Sequence, residues 1–133
     1  MLKEQEIMSA LAVERRMYMI LSELVEITSE LSDALQWQDQ VSFQLYLSMR
    51  QESINQLRDN KEILRKQCKS LSQEDGNALR EILSGTGVPN SPNEQKLCEQ
   101  VQKNRGLLDR IIQADRLVSR RLGGKKSFYS QQP

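Results

Sequence analysis

The chain has 133 residues, of which 38% are apolar, 28% charged and 5% aromatic, with a net charge of +1 and no histidine. That length suits one domain whose core needs neither metal nor disulfide, and Leu, Ile, Val and Phe supply 34 of the 133 residues, enough apolar surface to oppose disorder. Without histidine the commonest general base is missing, as are the Ser-His-Asp, Cys-His and Glu-x-x-His arrangements. Cys68 and Cys98 form no CxxC pair, so zinc sites and disulfide frameworks lack their raw material. The expectation is a binding or structural protein that is not an enzyme and carries no cofactor and no metal. No apolar run approaches the roughly 18 residues of a membrane span, and the opening MLKEQEIM has no apolar core followed by a cleavage site. A cytoplasmic location without membrane insertion is therefore expected.

In chain order, residues 2–35 contain neither Pro nor Gly, and Met17, Ile20, Leu24, Ile27, Leu31 and Ala34 follow a 3-4-3-4-3 rhythm, which predicts a long helix with a heptad seam. Tyr18, Leu21, Val25 and Leu35 widen that stripe, as a helix touching more than one neighbour requires. Around residues 34–40 the period changes phase and Asp39 is a suitable N-cap, so a helix–helix turn is placed there. A second helix over 40–71 carries Leu47, Ile54, Leu57, Leu64, Cys68 and Leu71 on one frame, with Arg50 and Lys61 in the remaining slots, where their methylenes can lie along an interface edge. A short third helix over 73–84 starts at Ser72, buries Leu79, Ile82 and Leu83, and stops at Ser84-Gly85.

The loop at 85–91 leads into Ser91-Pro92-Asn93-Glu94, a capping-box pattern with Pro at the first helical position. The last helix, over 92–122, has the seam Leu97, Val101, Asn104, Leu108, Ile111, Asp115, Val118 and Leu122, ended by Gly123-Gly124. Asn104 and Asp115 on that seam are polar groups of the kind that fix register or lie at a wet edge. Leu107, Ile111, Ala114 and Val118 broaden the apolar face to one side and Ile112 to the other, while Leu117 falls nearly opposite the seam. The whole reads as an all-α fold: a long antiparallel helical hairpin, a short helix and a long C-terminal amphipathic helix in a single helical bundle domain over 1–124, with a mobile tail over 125–133.

Charge is unevenly placed: residues 1–102 carry 11 Lys and Arg against 16 Asp and Glu, a net of −5, and residues 103–133 carry 8 against 2, a net of +6. Glu23, Glu26, Glu30 and Asp33 form one acidic helix flank, and Asp109 and Asp115 dilute the basic stripe of the last helix. With stacking aromatics almost absent, no nucleic-acid partner is expected. No glycine-rich phosphate loop occurs either.

The layout resembles the FlgN-type flagellar export chaperones. Ala34-Leu-Gln-Trp-Gln-Asp39 occupies the break between that family's first two helices, and Arg50-Gln-Glu-Ser-Ile-Asn-Gln-Leu57 the charged helix that follows. The run Asn104-Arg-Gly-Leu-Leu-Asp-Arg-Ile-Ile-Gln-Ala-Asp-Arg-Leu-Val118, then Leu122-Gly-Gly-Lys-Lys-Ser-Phe-Tyr129, is similar to the family's last helix, with Ala114 and Asp115 where that family has Asn. The resemblance implies a cytoplasmic chaperone that binds the C-terminal helix of hook-filament junction (hook-associated) proteins, keeps them unassembled and delivers them to the flagellar export apparatus. Its partner-binding residues would be Leu107, Leu108, Ile111, Ile112, Leu117 and Val118, with Arg116 and Arg120, beside Arg110 and Arg121, orienting an acidic partner. The rival expectation is a self-associating structural coiled coil, or helical adaptor, with no client; a homodimer is compatible with either.

Overall fold

The computed structural model describes residues 1–123, which form four helices: α1 (Glu4–Gln36), α2 (Gln40–Ser70), α3 (Gln73–Leu83) and α4 (Pro92–Gly123). The expected elements are all present and their ends agree within two residues. The tail over 125–133, and Gly124 before it, lie outside the described residues.

Local chemistry sets the ends. Asp39 caps α2 by accepting from the Ser42 amide at 3.1 Å and the Ser42 hydroxyl at 2.6 Å, and the turn before it is closed by Gln38 at φ 56°, a left-handed position usually given to glycine or asparagine. These bonds hold the exposed Asp39 carboxyl below its ordinary range. Ser72 caps α3 by accepting from the Asp75 amide at 3.2 Å, and Ser91 caps α4 by accepting from the Glu94 amide at 3.1 Å. The second arm of the expected capping box differs: the buried Glu94 carboxylate accepts from the Asn90 amide, at 3.4 Å, rather than from that of Ser91. It satisfies a loop donor one residue earlier.

α1 is the spine, packed by α2 on one side and by α4 on the other. The α1–α2 pair is antiparallel: Arg16 donates to Asn60 and Gln67 donates to the Glu6 carbonyl. α4 runs parallel to α1 in near-constant register. Asn93 donates to Glu4, Asn104 to the Glu14 carbonyl and Arg121 to Ser32, pairs separated by 89, 90 and 89 residues. An offset of 90 brings the α4 seam of 97, 101, 104, 108, 111, 115, 118 and 122 into step with a second stripe on α1, at 7, 11, 14, 18, 21, 25, 28 and 32. Parallel helices need a crossover, which α3 and the loop after it supply at the end where α1 and α4 begin.

Three apolar clusters follow along α1. At the crossover end Ile7, Leu11 and Met17 pack with Leu64, Cys68, Leu79, Ile82, Leu97 and Val101. Leu21 and Leu24 meet Ile111 in the middle, and Ile27, Leu31 and Ala34 meet Phe43, Val118 and Leu122 at the far end. Gly76 lets α3 close onto the end of α2, since a Cβ there would lie 2.5 Å from the Cys68 carbonyl oxygen. α3 is tied to α4 by Arg105, which donates to the Ser84 carbonyl, and by Gln102, which donates to that of Gly85.

Candidate functional site

The residues the sequence gathers on one broad α4 face are divided by the structure. Ile111 and Val118 are buried, 5% and 2% exposed, because the parallel register sets them against the α1 stripe carrying Leu21 and Thr28. In this arrangement their apolar surface, expected to meet a partner, is covered by the bundle. Leu107 is half-buried against the middle cluster. Leu108 (37%), Ile112 (40%) and Leu117 (58%) are exposed, as are Arg116 and Arg120. The core stripe thus splits the broad face into two flanks.

One flank borders α1. Val25, Thr28, Ser29 and Ser32 of α1 and Arg110, Ala114, Leu117 and Arg121 of α4 line an open groove of about 380 Å³. Its walls are apolar and small, and its cations are the two arginines, one of which donates to Ser32 at 3.1 Å. On the other flank α4 looks across to α2. The two helices are joined there by the half-buried ion pair of Arg50 and Asp115, both of which the sequence places on seam positions. Nearer the crossover, Leu108 and Arg105 of α4, Leu57 and Lys61 of α2, and Leu83 of α3 surround a cleft of about 160 Å³. A second cleft of about 340 Å³ adjoins it between α2 and α3, lined by Met17, Leu64, Cys68 and Leu83, with Lys61, Arg65 and Arg80.

Glu14 lies at the base of both clefts. Asn104, expected to be a register-fixing or edge residue, is buried and donates to the Glu14 carbonyl at 2.8 Å while its own carbonyl accepts from Gln100 at 3.1 Å. Glu14 is only 5% exposed and its Oε2 has no hydrogen-bond partner. Burial pushes its pKa up, against the lowering pull of Asn104 and of the Lys61 charge. Sequence reasoning passed over Glu14 because it interrupts the second α1 stripe. The signal that finds it is an acid at the position where the apolar frame 7, 11, 14, 18, 21 requires a core side chain.

The acidic flank of Glu23, Glu26, Glu30 and Asp33 is exposed, and Glu26 and Glu30 line a shallow groove with Tyr46 and Met49 of α2. Cys68 is buried and Cys98 half-buried, both as free thiols pushed up by burial. Among the described residues no group of three His, Cys, Asp or Glu side chains is placed to hold a metal, and no helix is long and apolar enough to cross a membrane. Comparison with protein-family models, with curated proteins and with solved structures finds nothing that matches this chain.

Proposed function

We propose that the chain is a non-catalytic cytoplasmic export chaperone of the FlgN type, which holds the C-terminal helix of a hook-filament junction protein on its last helix and delivers it to the export apparatus. The observation that carries this reading is the condition of α4. Most of its seam is covered by α1, yet Leu108 on that seam, and Ile112 and Leu117 outside it, remain exposed among Arg110, Arg116, Arg120 and Arg121. A helix that only packs in its own bundle has no use for large apolar side chains outside the seam, whereas a carrier of sticky amphipathic helices needs them accessible. The arginines suit an acidic partner and set its orientation. Neither nucleic acid nor membrane is part of this proposal.

The test is calorimetric titration of the full chain with a purified hook-filament junction protein at low and at physiological salt. Ile112→Asp and Leu117→Asp each weaken binding at least tenfold at unchanged helical content, and affinity falls with salt. Point substitutions are preferable to truncation because α4 also contributes Leu97, Val101, Ile111, Val118 and Leu122 to the core. An absence of binding, or unchanged affinity in both variants, overturns the reading. The competing self-association draws on Met19, Val41 and Leu45, exposed on α1 and α2; a concentration-dependent dimer, with no junction protein bound, would favour it.

A further inference from the structure

Glu14 poses a chemical problem that the packing of the bundle does not solve. Glu14 is buried, its Oε2 has no partner, and among the described residues it forms no ion pair. A buried carboxyl with one oxygen unpaired opposes folding, so a position that needs only a core side chain is better served by leucine. Here the orphan sits at the meeting point of two clefts, of about 340 and 160 Å³. The larger is within the size range of small-ligand sites.

The lining restricts what fits. Met17, Leu64 and Leu83 give the cleft apolar walls, which call for an apolar body. The carboxyl at the base calls for a hydrogen-bond donor, so a plain hydrocarbon leaves it unsatisfied and an anion placed there is repelled. The mouth is ringed by cations from three helices, Lys61 and Arg65 of α2, Arg80 of α3 and Arg105 of α4, so a cationic donor is repelled and a negative group is attracted. Arg65 is paired with Glu62, Arg80 bonds Asn77, and Arg105 is held by the Ser84 carbonyl. Lys61 forms no ion pair among the described residues.

We propose that this cleft is a binding site for a flat aromatic N–H or O–H donor with a carboxylate beyond its ring, the donor meeting Glu14 and the carboxylate meeting Lys61 and Arg80. An indole or phenol acid has this chemistry, as does a tryptophan or tyrosine beside acidic residues in a peptide. The inference stands on Glu14 and its clefts and does not depend on the chaperone reading.

Met17 lines both clefts, so its methyl resonance in the full chain reports occupancy. Titration with indole-3-propionate gives a saturable shift. The N-methylated analogue, which lacks the donor, binds at least tenfold more weakly, as loss of its hydrogen bond to Glu14 requires. Tryptamine, with an ammonium group in place of the carboxylate, is weaker again. In Glu14→Leu the preference for N–H over N-methyl disappears, and in Lys61→Met the preference for the carboxylate falls while that for N–H persists. A capped Glu-Glu-Trp-Glu-Glu peptide that saturates at lower concentration than the free acid assigns the chemistry to a peptide, and the reverse order assigns it to a small acid. No saturable shift at Met17, or equal binding of the three indoles, overturns the proposal. Failure here leaves the junction-protein titration unaffected, because that test reads Ile112 and Leu117.

Discussion

Replacing Glu14 by leucine removes a charged group from the core while keeping a side chain of similar bulk beside Met17 and Leu64. An unsatisfied buried polar group costs about 1–3 kcal/mol. Against that stands the loss of the favourable influence of Asn104 and of attraction to Lys61, whose charge lies toward solvent and is screened over about 8 Å at physiological salt. The net expectation at neutral pH is a gain of about 1–2 kcal/mol, or roughly 4–8 °C in Tm for a chain of this size. The pH dependence is more diagnostic. Burial raises the Glu14 carboxyl above its ordinary 4.5, so between that value and its folded value the native protein holds a proton the unfolded chain has lost. Native stability therefore falls as pH rises through this window, by at most about 1.36 kcal/mol per pH unit, and the whole penalty stands above it. Asp39, Glu62 and Asp75 are shifted the opposite way by their hydrogen bonds, and they act equally in both proteins. Urea unfolding followed by circular dichroism from pH 4 to 8 should give curves that diverge with rising pH, the variant becoming progressively the more stable. A difference that does not change with pH, or a variant less stable at pH 7, would refute the account of Glu14 as an uncompensated acid.

Other substitutions test the packing. Gly76→Ala forces a Cβ to within 2.5 Å of the Cys68 carbonyl oxygen and should cost about 1–2 kcal/mol in urea unfolding despite alanine's better helix propensity. Gly106→Ala, with nothing within 4 Å of the added carbon, should stabilise by about 0.5–1 kcal/mol in the same assay. A double-mutant cycle on Arg50→Met and Asp115→Leu should give a coupling energy of about 1 kcal/mol, appropriate to an ion pair only partly withdrawn from water, and zero coupling would show that the α2–α4 strut is not formed. Ser91→Ala should lose about 1 kcal/mol through its cap, measured by thermal unfolding.

The heptad seam of α1 from Met17 onward, the Asp39 cap and the Ser91 start of α4 are legible because each rests on local periodicity or local hydrogen bonding. The sequence shows part of a second stripe on α1, where Tyr18, Leu21 and Val25 widen the seam, but not its full extent. Ile7 and Leu11 also belong to it, but Glu14, Thr28 and Ser32 interrupt it, and an amphipathicity count gives such polar positions no place on a buried face. The partner's register decides that face: Thr28 is buried because it lies opposite Val118, and its hydroxyl is absorbed by the Leu24 carbonyl at 2.7 Å. Phe43 is hidden for a similar reason, since it starts a polar helix yet docks under Leu31 and Val118 at the far end of the bundle. The broad apolar face of α4 was legible in its residue types and its division into buried core and exposed flanks was not, because wheel geometry alone gives no sign of how much of a wide face the rest of the chain consumes.

That division bears on how α4 can serve a partner. Ile111 and Val118 hold α4 to α1, so a partner that needed them would first have to detach a helix that closes all three clusters of the core. Leu108 and Ile112 on one flank, and Leu117 with Ala114 on the other, ask for no such opening. A partner helix can lie against either flank while the seam stays intact, and the two flanks differ in chemistry. The α1 side offers a small-residue groove bounded by Arg110 and Arg121, and the α2 side leads past the Arg50–Asp115 strut toward Glu14. Substituting Leu117 alone and Ile112 alone therefore does more than locate a site. Loss of binding through only one of them identifies the flank, and loss through both requires a partner that straddles the outer ridge of α4, where Arg116 and Arg120 stand exposed.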